Sequence, residues 1–431
     1  MLIALLACIN QSSEPFGEPC HVAGYDTEVR CGTVDSQGVT LRVVVVPTAR
    51  AVSDTPLFFL AGGPGQAATQ LVGAVMPALR GVNEERDLVF VDQRGTGASA
   101  PLECPEGDDS LASRFSAELL EDECLPLLDA DTTQFVTPVA MDDLDNVRAA
   151  LGYERIQLFG GSYGTRAALV YARRHPDRLE RMVLDGVVPT NMTLYETFAV
   201  DGQAALERLY EDAPAARGHV EAILARLPEK TSVQHPRTGE TETLTIEAEV
   251  FAAQLRGLLY QSALRAMVPW TLSRAEEGDW TPFVAETTAL SDSVGLSVGM
   301  HLAIVCSEDV PRFSGVDLSA TMLGDSLIHL AETSCSDWPR AELPAGYHDP
   351  VRWDGPVLLL SGELDPATPP RWAEEAAKTL PNSTHHIIPN TGHGTLSVPC
   401  VARQIEAFLE GEATEACSPA PSPFFVDRLG P

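Results

Sequence analysis

The sequence predicts an α/β fold, a mostly parallel sheet with helices on both faces that is interrupted by an inserted, mainly helical segment. Short apolar runs alternate with helical patterns up to about residue 190, and this alternation resumes after about residue 350. Strands that alternate with helices build parallel sheets that are buried on both faces. The stretch between these two regions lacks the alternation, and we therefore interpret it as an insertion.

Length and composition are those of a globular protein. The chain has 431 residues, of which 44% are hydrophobic and 21% charged. This length predicts either one large domain with an insertion or two domains. The formal net charge of -32 argues against nucleic acid as a partner, because binding phosphates requires a basic surface.

The early strands follow from β-branched and apolar runs. Val39–Pro47 is β-branched, and Pro56–Leu60 and Asp87–Val91 are short apolar runs expected of buried strands. Helical patterns cover Thr69–Gly81 and Met141–Leu151. These elements form the first part of the predicted α/β core.

The most informative turn of this part follows the strand Ile156–Phe159. The next five residues, Gly160 to Gly164, fit the pattern G-x-S-x-G, and a helix is predicted over Thr165–Arg174. In that motif the serine lies on a strained strand-to-helix turn with its hydroxyl exposed above the sheet edge. Ser162 is therefore the candidate nucleophile.

The remaining elements lie on either side of the insertion. Leu179–Asp185 supplies another strand before the alternation stops. Within the insertion we predict three helices and a hairpin: Gln203–Glu211, His219–Leu227, Ala248–Met267 and the hairpin Thr231–Thr245. After it we predict a strand, a helix, a strand and a helix: Val357–Leu360, Pro370–Leu380, His385–Ile388 and Val401–Leu409.

These elements divide the chain into five parts. We expect a signal, tether and stapled entry loop over 1–38, and a first core segment over 39–190. A helical cap insertion over 191–343 precedes a second core segment over 344–417, and 418–431 forms a Pro-rich tail.

A nucleophilic serine needs a histidine base and a carboxylate that orients the base. Asp365 lies in the loop after the strand Val357–Leu360, and His393 lies in a glycine-flanked loop after the next strand. Both positions are at carboxyl ends of strands, where open α/β sheets have their sites. Two alternatives remain for the carboxylate: Asp365 could be a turn residue before a proline, and Glu363 could be the acid.

Hydrolysis of a carbonyl compound also needs backbone N–H groups that bind the developing oxyanion. One is expected from Tyr163, which follows the nucleophile. The other is expected from Gly63 in the loop Gly62-Gly63-Pro64-Gly65, with Gly62 as the alternative. No metal or cofactor is needed for this chemistry, and no cysteine pair has the C-x-x-C spacing of a zinc site.

The N-terminus and the cysteines favour an exported protein. Leu5-Leu6-Ala7-Cys8 is similar to the lipobox of bacterial lipoproteins, with Cys8 as the lipidation candidate, although the basic segment of a signal peptide is missing. The other eight cysteines form four near-neighbour couples, although eight cysteines allow 105 pairings. The couples are Cys20 and Cys31, Cys104 and Cys124, Cys306 and Cys335, and Cys400 and Cys417.

Five motifs together resemble the proline iminopeptidase and tripeptidyl aminopeptidase branch of the α/β-hydrolases. They are A-G-G-P-G from Ala61, V-D-Q-R-G-T-G-A-S from Val91, G-G-S-Y-G-T around Ser162, G-E-L-D-P-A-T-P around Asp365 and N-T-G-H-G around His393. The resemblance covers residues 40–190 and 350–417, and the couple of Cys400 and Cys417 is similar to that of exported members. The first motif departs from the family, which usually has histidine where this chain has Ala61.

The resemblance implies the α/β-hydrolase fold and a serine aminopeptidase that releases N-terminal proline or short peptides. Such an enzyme needs an anion for the ammonium group of its substrate, and Glu308, beside Cys306, is the candidate; it could equally be part of a solvated acidic loop. The alternative is an esterase or lipase with the same triad that acts on small esters. A third hypothesis is a lipid-anchored binding protein with an inactive hydrolase fold. In each case we expect a bacterial lipoprotein, periplasmic or on the cell surface, anchored to the membrane through Cys8.

Overall fold

The structure is a computed structural model that describes residues 16–50, 52–105, 110–115 and 124–418, excepting the side chains of 291–294. The predicted lipidation residue Cys8 and the predicted tail from residue 419 onward lie outside the described residues. All other predicted site residues fall within them. No helix in the described ranges has both the length and the apolar character needed to cross a membrane.

A nine-stranded sheet forms the centre of the molecule, in the order β1-β2-β3-β5-β4-β6-β7-β10-β11. The strands from β5 to β11 in this order run parallel, while β1, β2 and β3 pair antiparallel with their neighbours. A separate hairpin consists of β8 and β9. The bounds are β1 Glu18–Val22, β2 Tyr25–Ser36, β3 Val39–Val46, β4 Leu57–Leu60, β5 Leu88–Val91, β6 Ile156–Gly161, β7 Leu179–Asp185, β8 Glu229–Gln234, β9 Thr241–Ile246, β10 Val357–Gly362 and β11 Ser383–Ile388.

Helices connect these strands and build the insertion between β7 and β10. In chain order they are α1 Val72–Asn83, α2 Leu111–Arg114, α3 Thr137–Ala150, α4 Tyr163–Arg174, α5 Glu196–Asp212, α6 Ala215–Leu224, α7 Ala248–Leu258, α8 Ser262–Glu276, α9 Thr281–Val294, α10 Val298–Glu308, α11 Ser326–Ser334, α12 Pro370–Ala377 and α13 Pro399–Leu409. This arrangement confirms the predicted α/β fold with a mostly parallel sheet and helices on both faces.

Alternating residues of the buried strands pack on opposite faces of the sheet, as the two-residue period of a strand requires. On one face Phe58 and Leu60 of β4 pack with residues of α3 and α4 such as Leu144. On the other face Leu57 and Phe59 pack with residues of α1 and α13. Because both faces are covered, β4 is apolar throughout, which is why its sequence shows no polar alternation.

The N-terminal part differs from the prediction. We predicted a stapled entry loop before residue 39, and the structure instead has the antiparallel strands β1 and β2, joined by the disulfide Cys20–Cys31. The start of β2 is polar: Asp26, Thr27 and Glu28 are exposed, and buried residues begin only at Val29. Exposed polar residues interrupt the apolar pattern that marks a strand, and for this reason we misread this part of the chain as a loop.

Between β7 and β10 the described chain adds no strand to the central sheet. Its helices α5 to α9 and the β8–β9 hairpin have a core of their own, centred on Phe251, Trp280 and Phe283, whereas α10 packs into the core of the central sheet. The predicted single helix Ala248–Met267 is wrong, because the structure breaks it into α7 and α8. The break lies at residues 259–261, which contact the second core segment.

Four disulfides link the described cysteines: Cys20–Cys31, Cys104–Cys124, Cys306–Cys335 and Cys400–Cys417. These are the four near-neighbour couples of the sequence. The longest separation is 29 residues, between Cys306 in α10 and Cys335 directly after α11. Each disulfide therefore connects neighbouring elements. None of these four disulfides links the large insertion to the core.

Candidate active site

Ser162 lies on the turn between β6 and α4 in a backbone conformation that non-glycine residues rarely adopt. Its φ is 53° and its ψ is -124°. The Ser162 N–H donates to the Asp185 carbonyl at the end of the neighbouring strand β7, at 2.8 Å. A strained residue of this kind persists only where its surroundings hold it, and such residues concentrate at functional sites.

The two glycines of the motif are needed because backbone from other elements approaches them closely. A β-carbon on Gly160 would lie 2.4 Å from the Gly164 carbonyl oxygen, and one on Gly164 would lie 2.3 Å from the Leu60 carbonyl oxygen. Neither contact could be relieved by moving a side chain. Glycine at these positions lets β6, α4 and β4 approach one another and form the sharp turn that carries Ser162.

His393 and Asp365 lie close together at the carboxyl edge of the sheet. The His393 Nδ1 is 2.8 Å from the Asp365 Oδ2, and the histidine side chain is 15% exposed while the carboxylate is fully buried. The Thr368 hydroxyl and the Thr368 and Ala367 N–H groups also donate to the Asp365 carboxylate, each at 2.8 Å. A carboxylate with this set of donors is held in one position and orients the imidazole.

The charges of this pair stabilise each other. Burial alone would raise the pKa of Asp365, but the charge of His393, its hydrogen bond and the two N–H donors lower the pKa below its ordinary value. Burial alone would lower the pKa of His393, but the Asp365 charge and hydrogen bond raise it above its ordinary value. Asp365 is therefore ionised at neutral pH, and it favours the Nδ1–H form of His393.

The three predicted residues approach one another around the end of β7. Ser162 donates to the carbonyl of Asp185, and the next residue, Gly186, lies beside the His393 ring. A β-carbon on Gly186 would be 3.2 Å from the His393 Cε1. The structure thus brings Ser162, His393 and Asp365 to the same edge of the sheet. Glu363, the alternative acid, is exposed, and its carboxylate accepts the Asn390 N–H.

The glycine-rich loop Gly62–Gly65, which we call the oxyanion loop, lies beside Ser162. A β-carbon on Gly62 would be 3.2 Å from the Ser162 Cβ. The Gly62 carbonyl accepts the Gln66 N–H inside the loop at 3.3 Å. In a trans peptide the N–H of the next residue points opposite to that carbonyl, so the Gly63 N–H points out of the loop. Tyr163 is the first residue of α4, and its N–H has no acceptor within the helix.

Asp185 is a buried residue of the site that the sequence analysis missed. Its carboxylate accepts the Thr395 N–H at 2.8 Å, the Thr395 hydroxyl at 3.0 Å and the Leu396 N–H at 3.1 Å. Burial raises its pKa to about 6, against the lowering effect of the Thr395 donors. These contacts fix the chain directly after His393. The sequence did offer a signal for Asp185, because it is a carboxylate at the end of a predicted buried strand. The same kind of position led to the prediction of Asp365.

The insertion holds the other side of the His393 loop. The Tyr260 carbonyl accepts the His393 N–H at 2.7 Å, and the ring of Tyr260 lies edge-on to the imidazole. The Ser262 hydroxyl accepts the Gly392 N–H and donates to the Asn390 carbonyl, both at 3.1 Å. No motif marks Tyr260 or Ser262, so the sequence analysis had no signal for their contacts with this loop.

Glu308 does not lie where the sequence analysis expected it. It ends the helix α10 and is fully buried, and the Thr137 N–H and hydroxyl donate to its carboxylate at 2.7 and 3.0 Å. The Tyr347 hydroxyl donates to the same carboxylate, and Arg166 lies 3.8 Å away. The alternative of a solvated acidic loop is therefore wrong, and the binding of a substrate ammonium group by Glu308 stays a prediction. The run from Leu302 to Val305 is apolar and buried, so the end of the helix lies in the interior, where Arg166 offsets the acidic charge.

Within the described ranges, no group of three or more histidine, cysteine, aspartate or glutamate side chains could hold a metal ion. The chemistry of the site is that of a hydroxyl, an imidazole and a carboxylate. Together with the fold, these residues define the class of the molecule, a serine hydrolase built on an α/β sheet.

Comparison with known proteins gives the family. Residues 55–223 match the family model described as alpha/beta hydrolase fold, and residues 320–417 match the model described as TAP-like protein. The chain has the α/β-hydrolase fold, and its sequence is similar to the group of tripeptidyl aminopeptidases and proline iminopeptidases, as the motifs predicted.

Curated relatives carry names from this group. The tripeptidyl aminopeptidase of Streptomyces coelicolor is 26% identical over 422 residues, which cover 85% of this chain and 77% of that protein. The serine protease Hip1 of Mycobacterium tuberculosis is 34% identical over 151 residues, 30% of this chain and 29% of that protein. The proline iminopeptidase of Neisseria meningitidis is 30% identical over 159 residues, 36% of this chain and 40% of that protein.

Proposed function

We propose that this protein is an exported serine aminopeptidase that releases N-terminal proline or short peptides through a triad of Ser162, His393 and Asp365. The observation that carries the proposal is the strained backbone of Ser162 at the sheet edge where the His393–Asp365 pair lies. The names of the relatives, two of them aminopeptidases, support a peptide substrate.

In the proposed reaction Asp365 accepts the His393 Nδ1–H and leaves Nε2 free to act as the base. Nε2 takes the hydroxyl proton of Ser162 as the serine oxygen bonds to the scissile carbonyl carbon. The carbonyl oxygen becomes an oxyanion that binds the N–H groups of Gly63 and Tyr163. His393 then gives its proton to the leaving amine, and the carbon–nitrogen bond breaks to give an acyl-enzyme.

Water completes the cycle by the same route. His393 removes a proton from the water as its oxygen attacks the acyl carbon, and a second oxyanion forms in the same position. Its collapse breaks the bond to the Ser162 oxygen, which takes back the proton from His393. The reaction needs only groups of this chain and water.

We propose residues 191–343 as the cap that selects the substrate. Helices α5 to α9 form a separate core, and Tyr260 at the break between α7 and α8 contacts His393. Tyr260 therefore places part of the insertion against the base of the proposed triad. The core segments of the proposal are 39–190 and 344–417.

Export is supported by the disulfides. Disulfides persist in oxidising compartments and are rare in the cytosol of most organisms, and four link the described cysteines. We propose that the protein leaves the cytoplasm and that Cys8 carries a lipid anchor.

A second candidate function is an esterase with the same triad. The burial of Glu308 favours it, because the predicted anchor for a substrate ammonium group is engaged by Thr137, Tyr347 and Arg166. A small ester would need no such anchor.

The deciding experiment uses two matched substrates, a free-amine prolyl or tripeptidyl anilide and its N-acetylated twin, with Ser162→Ala as the control. Cleavage of the free-amine form alone, lost in the variant, is the result expected of an aminopeptidase. Cleavage of neither anilide, with turnover of p-nitrophenyl butyrate that the variant loses, would reject the peptidase and support the esterase.

A further inference from the structure

The outer side of the oxyanion loop is built by the insertion. Two consecutive carbonyls of the loop are bound there: Ser297 N–H donates to the Gly65 carbonyl at 2.9 Å, and the His301 Nδ1 lies 3.0 Å from the Pro64 carbonyl oxygen. Leu296 covers Gly63, since a β-carbon on that glycine would be 2.7 Å from the Leu296 Cδ2. The loop therefore lies between Ser162 and the start of α10.

The contacts of His301 fix its tautomer. A carbonyl oxygen only accepts hydrogen bonds, so the His301 Nδ1 carries the proton that binds the Pro64 carbonyl. The Nε2 is then an acceptor, and the Tyr195 hydroxyl donates to it at 2.7 Å. Burial lowers the pKa of His301, although the Pro64 carbonyl and the Asp309 charge oppose this. The neutral form with a proton on Nδ1 is the one that these neighbours favour.

Tyr195 has a strained backbone of its own. Its φ is 67° and its ψ is -57°, which for a residue with a side chain costs energy that the surrounding structure must offset. The ring lies edge-on to the His301 ring, with centroids 6.0 Å apart. Tyr195 and His301 both belong to the insertion, while Pro64 belongs to the core.

We propose that Tyr195 and His301 are positioning residues for the oxyanion hole. The pair holds the Pro64 carbonyl and so restricts the orientation of the N–H of the preceding residue, Gly63. A loop with three glycines is intrinsically free to rotate its peptides, whereas an oxyanion donor must stay within about 0.2 Å of its productive distance. The proposal rests on the proposed function of Ser162, and it makes the oxyanion hole depend on contact between the insertion and the core.

Three variants separate this role from simple packing. His301→Ala removes the donor, His301→Asn keeps an N–H close to the position of Nδ1, and Tyr195→Phe removes only the hydroxyl. The control is His219→Ala, because His219 also lies in the insertion but pairs with Glu276 on its surface. Each protein is assayed for kcat and KM with p-nitrophenyl butyrate and for inhibition by an alkyl boronic acid, which forms a tetrahedral adduct with the serine.

We expect His301→Ala to lower kcat about 10- to 100-fold with KM almost unchanged. A misplaced N–H donor weakens the hydrogen bond to the oxyanion, which forms mainly in the transition state. Boronate affinity should fall in parallel, while His301→Asn should recover part of both. Tyr195→Phe should show a smaller loss in the same direction, and His219→Ala should match the wild type. Lower thermal stability without a change in kcat or boronate affinity would overturn the positioning role.

The wild type is first tested for labelling of Ser162 by a fluorophosphonate, with Ser162→Ala as the blank. Absence of labelling and of turnover would reject the proposed function itself. Normal labelling of the wild type, with His301→Ala equally fast in labelling and turnover, would reject only the role of His301. If His301→Ala fails to fold by circular dichroism, Tyr195→Phe decides, because it retains the ring and its packing; unchanged kcat and boronate affinity in that variant would overturn the proposal.

Discussion

At residue 365 a single carboxylate receives hydrogen bonds from His393, Ala367 and Thr368. These donors keep the group ionised despite its burial, and the ionised group in turn raises the pKa of His393. His393 must be neutral to act as a base. Activity is therefore present above the pKa of His393 and is lost as the pH falls through that value, which lies above its ordinary value.

Asp365→Asn is expected to lower kcat/KM by about 10³- to 10⁴-fold, as loss of the orienting carboxylate does in other serine hydrolases. The variant also loses the charge and hydrogen bond that raise the pKa of His393, while burial still lowers that pKa. The acid limb of its kcat/KM profile should therefore move to lower pH. Steady-state assays from pH 4 to 9 on both proteins measure this, and an unshifted limb would contradict it.

Glu363→Gln is the matched control, because it removes the other carboxylate of the same loop. Glu363 is exposed, and its carboxylate accepts the Asn390 N–H. Substitution of such a surface group changes stability by less than about 0.5 kcal/mol, and we expect its pH profile to match the wild type. A large loss in Glu363→Gln with little in Asp365→Asn would reverse the assignment.

At the scale of elements, the turn between β6 and α4 depends on close backbone packing. Gly164→Ala would place a β-carbon 2.3 Å from the Leu60 carbonyl oxygen, which neither strand nor helix can avoid without moving. We expect it to destabilise the protein by roughly 3 kcal/mol or more and to abolish activity. Urea unfolding and an ester assay measure the two effects.

Gly218→Ala in α6 tests the same substitution where space is available. A β-carbon on Gly218 would meet no atom within 4 Å, and alanine is the better helix former. This variant should be more stable by about 0.5–1 kcal/mol and fully active. Equal effects of the two glycine variants would show that close packing at the turn is not the reason why residue 164 must be glycine.

The junction of α7 and α8 is the second element that matters for the site. Ser262→Ala removes the hydroxyl that binds both Asn390 and Gly392, so the His393 loop should become more mobile. We expect kcat to fall roughly tenfold and stability to fall by about 1 kcal/mol. The assay is kcat with thermal unfolding in parallel.

Ser273→Ala is the control for Ser262→Ala because both serines lie in α8 and are partly buried. The Ser273 hydroxyl donates to the Trp270 carbonyl of its own helix and does not touch the His393 loop. We expect its kcat to equal that of the wild type. A similar loss of kcat in both variants would mean that the stability of the helix, and not its contact with the loop, sets the rate.

For the whole molecule, the disulfides stabilise local connections. Cys400–Cys417 ties α13 to the last described residues across 17 positions. Removing it as Cys400→Ser/Cys417→Ser should lower the free energy of unfolding by about 3 kcal/mol through the unfolded state. Denaturant unfolding of the two proteins under non-reducing conditions measures this, and an identical midpoint would contradict it.

The sheet and the catalytic motifs were largely predictable from the sequence. Buried parallel strands such as β4 are continuous apolar runs. Ser162, Asp365 and His393 lie after such strands, in loops whose glycine and proline residues are recognisable in the sequence. The strand β2 was not predictable in this way, because its first residues are exposed and polar and its composition resembles a loop.

The sequence by itself determined the fold class, the order of core elements and the residue types of the site, because period, turn residues and motif spacing are local properties of the chain. Only the tertiary structure decided that Asp185 fixes the chain after His393 and that Tyr260, Ser262 and His301 reach across from the insertion. It also decided that Glu308 is buried beside Arg166. Contacts between residues more than a hundred positions apart depend on how the layers pack, and no local pattern encodes that packing.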